Sequence, residues 1–270
     1  MLNNFERREL LEFVPPNFLP IKVLVIESAE FLEGLREKLP AAQIALINKE
    51  SSPEIKKFCD EFKVDLIDGL PTAPKIFEII IARDVLTVGE NFYATLMMFN
   101  HLLTDSGYLL TQFYNVRFVG ILERLRQGRF FNNERRLWAK ADVVKLLNDA
   151  IYKEIHFLPG ERENISAQEW ERFGFDDFNE DLTTKIWLVQ ACKCTAEVAA
   201  LKDVFTPEVR ADLSRLLHRI EYDIDAEENF QRLMTLCERE GIFDEYLSDF
   251  IDQVVVHEAT RDLIRKRLIN

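Results

Sequence analysis

Glycine is scarce in this chain, nine residues in 270, and none precedes Gly34. That absence excludes a glycine-rich ligand loop after the first strand, where a bare backbone lets a ligand approach closely or takes φ > 0. Cysteine is equally sparse. Cys192 and Cys194 sit two apart, with no other Cys or His near them in sequence, and His101, His156, His218 and His257 are scattered. A zinc site wants two close ligand pairs, so no metal centre is expected. Long apolar runs are missing as well. Ile76–Ala82, the best candidate, is interrupted by Glu78 and falls far short of the roughly 18 residues of a membrane span. The opening MLNNFERREL carries charges with no apolar stretch behind them, so no signal peptide is expected and a cytoplasmic location is. Positive charge is short too: the net charge of −13 argues against a nucleic-acid binder, which would present a basic face.

What the chain does have is rhythm. Ile21–Leu35 (IKVLVIESAEFLEGL) reads as a buried strand, Val23 to Ile26, running into a helix with Phe31, Leu32 and Leu35 on its apolar side. Before it, residues 3–13 predict a short helix stopped by Val14-Pro15-Pro16, since proline cannot continue one. After it come a strand at Ile44–Ile47, a helix opened by Ser52-Pro53 with Phe58 and Phe62 as its edge, and a strand at Val64–Ile67. Ile76–Ala82 is apolar enough for a central parallel strand. A helix over 90–103, a turn at Asp105-Ser106-Gly107 and a strand at Tyr108–Phe113 follow. Helices at Val116–Arg126 and Ala141–Asp149 and strands at Glu154–Leu158 and Lys185–Ala191 complete the series. Strands alternating with helices at this interval imply βαβ units. The expected fold is α/β: a Rossmann-like, doubly wound, mostly parallel seven-stranded sheet.

After Thr195 only helical periods remain. Val209, Leu213, Leu216, Leu217 and Ile220 mark one helix, and Asp225-Ala226-Glu227-Glu228 reads as a capping box for the next, which Gly241 ends. Helices at Asp244–Val256 and about 258–268 complete this part. Residues 195–270 hold 17 acids and 10 bases, a net of −7. The expected division is an α/β domain over 1–194 and an acidic helical subdomain over 195–270, the latter a surface for a second copy or a partner protein. Charge runs the other way over 117–140, where Arg124, Arg126, Arg129, Arg135, Arg136 and Lys140 gather. An anionic ligand, or the acidic tail, would suit that stretch.

Several local texts match one family in order. RRELLEFVPPN at the start, FEIIIARDVL at the fourth strand, LLTDSGYLL at the fifth, YNVR after it and LWAKADVVKLLNDAIY later together resemble the class I S-adenosylmethionine-dependent methyltransferases. The closest likeness is to small-molecule or glycan-associated members from bacteria. The resemblance spans residues 7–194. It implies cofactor contacts at Glu27 and Ser28 after the first strand, Asn48 after the second, Asp68 after the third and Asp84 after the fourth. It also implies substrate contacts at Asn115 and Arg117. The family's first-strand motif has an acid and three glycines where this chain has Val25, Glu27, Ala29 and Phe31. Phe31 is expected to project toward the space of the cofactor's methionine part. The expectation is therefore a methyltransferase-fold protein that has lost ordinary cofactor binding and serves as a binding or assembly module. S-adenosylmethionine would be its cofactor only if it is active. A shorter likeness, IKVLVIES and VDLIDG to the receiver domains of response regulators, covers about half the length such a reading would need to explain.

Overall fold

The computed structural model describes residues 9–64, 70–71, 73–129, 136–163, 165, 181–193 and 204–268. They form two compact units. The first comprises Met1–Ala139 and His156–Lys193, the second Lys140–Ile155 and Cys194–Asn270.

The sheet contains β1 (Lys22–Ile26), β2 (Gln43–Ile47), β3 (Glu61–Lys63), β4 (Phe77–Ile81), β5 (Leu103–Asn115), β6 (Leu137–Trp138), β7 (Tyr152–Arg162) and β8 (Thr184–Lys193). Its order is β3-β2-β1-β4-β5-β8-β7, with β6 paired to β5 off that path. Pairings among β1 to β6 are parallel and β8 runs antiparallel to β5. The fold is thus Rossmann-like and mostly parallel, with β6 as an eighth strand that sequence periodicity did not reveal. Two residues are too short a run to carry a period. Val23 to Ile26 of β1 and Ile79 to Ile81 of β4 are all buried, as strands covered on both faces must be.

Among the described residues, the helices of the first unit are α1 (Leu32–Lys38), α2 (Pro53–Lys56), α3 (Phe92–Leu102) and α4 (Val119–Arg126). A 3₁₀ turn at Leu10–Phe13 packs on α1 so closely that a Cβ on Gly34 would lie 2.7 Å from Leu11 Cδ1. Lys38 fixes the same segment, donating to the Leu11 and Val14 carbonyls at 2.6 and 3.0 Å. Leu10, Leu11 and Val14 join Leu32, Leu35 and the β1 residues Val23 and Val25 in one core. Of the helix expected over 3–13, residues 3–8 lie outside the described residues.

Three expectations need correction. A strand lies at Glu61–Lys63 and α2 is a single turn, so Phe62 sits in a strand rather than on a helix edge; of the strand expected over Val64–Ile67, residues 65–67 lie outside the described residues. Asp60 is the cause. Its backbone amide donates to the Ile44 carbonyl and its carboxylate accepts from the Ile44 amide, 2.8 and 2.7 Å, which draws the chain onto β2. Asp105-Ser106-Gly107 does not turn the chain; β5 runs through it, with a register shift against β4 between Phe77 and Ile79. A Cβ on Gly107 would come within 3.0 Å of the Phe77 carbonyl oxygen, so glycine here permits strand contact. Asp225 is not a capping-box residue. It takes φ 45° and its carboxylate pairs with Arg219 instead of the helix amides.

The second unit contains α5 (Lys140–Asp149), α6 (Pro207–Glu221), α7 (Ala226–Glu240), α8 (Asp244–Val254) and α9 (Glu258–Leu268). Leu213, Leu217, Leu233, Ile251 and Ile264 are fully buried at its centre. Gly241 ends α7 in the left-handed conformation, φ 65°. Among the described residues no helix is long and apolar enough to cross a membrane.

Candidate functional site

The strand order reverses between β1 and β4, because β2 and β3 lie to one side of β1 while β4 and β5 lie to the other. In a doubly wound sheet ligands rest in the crevice beyond the carboxyl ends of the strands at such a switch point. Here that crevice is bounded by residues 27–31 after β1 and 82–88 after β4.

Charges and hydrogen bonds cross between the two segments. Arg83 pairs with Glu30 on the β1 side and with Asp84 Oδ2 at 2.9 Å. Gln112 of β5 donates to Asp84 Oδ1 at 3.1 Å. Partial burial works against the Arg83 charge, but Asp84 and Glu30 outweigh it and raise its pKa. Ser28 is wholly buried; its hydroxyl donates to the Ile26 carbonyl at 2.8 Å and accepts from the Arg83 amide at 3.2 Å. Its polar capacity is spent inside the protein. Glu27 holds φ 49° at the end of β1, a left-handed conformation that costs a non-glycine residue roughly 1 kcal/mol. Its amide continues the sheet by donating to the Ile47 carbonyl at 2.8 Å.

Two cavities open here. One, of about 560 Å³, is lined on one side by Glu30, Phe31, Arg83, Asp84 and Gln112. The other, of about 790 Å³, lies over the ends of β1 and β4 and reaches α3; its polar lining includes Glu27, Lys49 and Asn91. Asp84 and Val88 line both. Phe31 is buried in the core beside the smaller cavity, so its ring forms wall rather than lid.

The expected site residues are placed unevenly. Glu27 and Asp84 line cavities, whereas Ser28 and Asn48 do not. Asn48 is nearly buried and donates to the Glu50 carbonyl at 2.7 Å. Asp68 lies outside the described residues. Asn115 and Arg117 meet each other and Asp181. The Asn115 amide donates to the Asp181 and Thr184 carbonyls and accepts from the Arg117 amide, while Arg117 pairs with the buried Asp181 carboxylate at 2.9 Å. Neither lines either cavity. In the arginine-rich stretch, Arg124 donates to the Gly120 carbonyl and Arg126 pairs with Glu123. Arg136 lies over Trp138, 4.4 Å from the ring centre. Lys140 is buried, 3.4 Å from His257. Residues 130–135 lie outside the described residues.

Sequence reading passed over Arg83 and Gln112. Arg83 stood in plain view, one residue before Asp84 at the end of a buried strand, but its partner Glu30 is 53 residues away. Among the described residues no group of three or more His, Cys, Asp or Glu is placed to hold a metal ion.

No family model matches the chain, and no curated protein does. Solved structures do. A methyltransferase dependent on S-adenosylmethionine from Archaeoglobus fulgidus aligns at 16% identity over 68% of this chain and 91% of its own, with a TM-score of 0.49. A Haloferax volcanii protein assigned as a methyltransferase, in complex with the Trm112 methyltransferase activator, aligns at 15% over 69% and 88%, TM-score 0.47. The 1,6-didemethyltoxoflavin-N1-methyltransferase of Burkholderia thailandensis, with S-adenosylhomocysteine bound, aligns at 11% over 65% and 72%, TM-score 0.43.

Proposed function

We propose that this chain is a methyltransferase-fold binding or assembly module that has given up ordinary use of S-adenosylmethionine. One observation carries the reading: the segments after β1 and β4 are tied together across the switch point by Arg83, Glu30 and Ser28. A cofactor lying across that crevice would have to break an ion pair and a partly buried hydrogen bond before gaining its own contacts. The segment after β1 offers no bare backbone either, because Glu27, Ala29 and Phe31 carry side chains throughout. Losing hydrogen-bonded partners costs about 1–3 kcal/mol each, against about 8 kcal/mol for micromolar affinity. The residues present do not suit this cofactor, and no catalytic step is assigned to them.

In this reading the protein acts in the bacterial cytoplasm, in a setting of glycan modification. Ligand chemistry belongs to the α/β part over 1–194. The acidic helices over 195–270 serve assembly, with a second copy or a protein partner and with neither nucleic acid nor membrane. The Haloferax volcanii complex is a precedent for pairing such a fold with a second protein. A second reading, an active methyltransferase with an atypical loop, draws support from the two open cavities at the strand ends. Calorimetric titration with S-adenosylmethionine and S-adenosylhomocysteine separates the two. Silence at millimolar ligand is expected; sub-millimolar binding overturns the module reading in favour of the enzyme.

A further inference from the structure

We infer that the smaller cavity at the switch point binds a small organic cation, an ammonium group carried on an apolar body. The inference rests on the preceding reading only in taking the crevice as a ligand site.

The cavity's charge is one-sided. Four carboxylates reach its lining from four separate parts of the first unit: Glu9 before the first turn, Glu30 after β1, Asp84 after β4 and Glu161 on β7. Among the described residues of the lining Arg83 is the single cation, and it is already engaged by Glu30 and Asp84. Lys185 pairs with one oxygen of Glu161 at 2.7 Å. The second oxygens of Glu30 and Glu161 have no partner among the described residues. A ligand entering this space therefore meets carboxylate oxygens still able to accept. An anion is repelled there, and a neutral group gains nothing from the excess charge.

A separate observation indicates that the lining is unfinished. Thr87 is 3% exposed, stands in the wall of this cavity, and its hydroxyl has no hydrogen-bond partner among the described residues. Buried hydroxyls without partners are rare, because leaving one unpaired costs most of its solvation. A bound donor or acceptor would complete it. The rest of the wall sets the ligand's shape. Leu10, Phe31, Ile186 and Leu188 supply an apolar side, and about 560 Å³ lies within the common range for small-molecule sites. An ammonium head among the carboxylates with a ring or short chain against Phe31 satisfies both halves.

The test uses three probes of one shape: phenethylamine, 2-phenylethanol and 3-phenylpropionate, titrated calorimetrically into the full chain. The amine is expected to bind, the alcohol about tenfold more weakly, and the carboxylate not at all. Glu161→Gln and Glu30→Gln should each weaken the amine about fivefold and leave the alcohol unchanged. Thr87→Val removes the orphan hydroxyl without changing shape. If that hydroxyl served packing alone, the variant would bind the amine as the wild type does; weaker binding in a protein of unreduced melting temperature is expected. Circular dichroism and melting temperature confirm that each variant is folded. Amine binding that is absent at millimolar concentration, equal to that of the alcohol, or insensitive to both glutamine variants overturns the inference. The same calorimeter run with S-adenosylmethionine keeps the two readings apart. Cofactor binding with amine selectivity intact sinks the module reading alone, and a silent cofactor with silent amines sinks this one alone.

Discussion

Glu27, Asn115 and Glu221 differ in what their side chains do, and each difference is measurable. Glu27 is exposed at φ 49°, so Glu27→Gly should raise stability by about 1 kcal/mol by removing strain in the left-handed region. Urea unfolding of the variant checks it, and a loss of stability would mean that the carboxylate has a structural partner. Asn115 is fully buried and joins Arg117, Asp181 and Thr184. Asn115→Ala leaves two carbonyls short of a donor and should cost about 2–3 kcal/mol. Glu221 is a buried carboxylate of the second unit. Its carboxylate accepts from the Val256 and His257 amides at 2.7 and 3.0 Å and meets the His257 and His218 rings at 2.6 and 3.3 Å. Burial alone would raise its pKa; the hydrogen bonds from His218 and His257 outweigh burial and hold it at about 2, against the usual 4.5. Because the folded-state value is depressed, the stabilisation is complete above about pH 4.5 and is lost as pH falls toward about 2. The amount is on the order of 3 kcal/mol. Urea midpoints measured from about pH 6 down to about pH 3 should fall in the wild type and fall less in Glu221→Gln.

At the scale of elements, helix ends were readable where one residue type has one conformational reason to be there. Ser52 before α2 accepts the Ile55 amide in the first turn, as cap residues do. Gly241 closes α7 at φ 65°, and nothing lies within 4 Å of the place a Cβ would occupy. Gly241→Ala should therefore cost about 1 kcal/mol through backbone conformation alone; a thermal melt that does not move would show that the helix end relaxes instead. Asp225 carried the same kind of signal and behaved differently. Asn229 took up the local hydrogen bonding by donating to the Ile224 and Asp225 carbonyls, while Arg219 held the Asp225 carboxylate. Three- and four-residue spacing cannot choose between such partners, because several acids and amides satisfy it at once.

Across the whole molecule, each unit has its own buried core, one around β1 and α1 and one around α6 to α9. Glu221→Gln should speed hydrogen exchange in α6 and at residues 255–257 while leaving β1, β4 and β5 protected. Equal loss of protection in the sheet would mean that the two cores unfold as one. Much of this architecture follows from sequence alone. Runs such as Val23–Ile26 and Ile79–Ile81 must be buried on both faces, alternation with helices makes the sheet mostly parallel, and a chain with no glycine before Gly34 has no bare ligand loop after its first strand. Those conclusions need only neighbours in the chain. Tertiary structure decided the rest: that Arg83 reaches Glu30, that Asn115 turns to Asp181, that Asp60 pulls Glu61–Lys63 into the sheet, and that carboxylates from four elements converge on one cavity. Each is a contact between residues far apart in sequence. Whether two such charges meet depends on where the backbone brings them, and local periodicity holds no record of that distance.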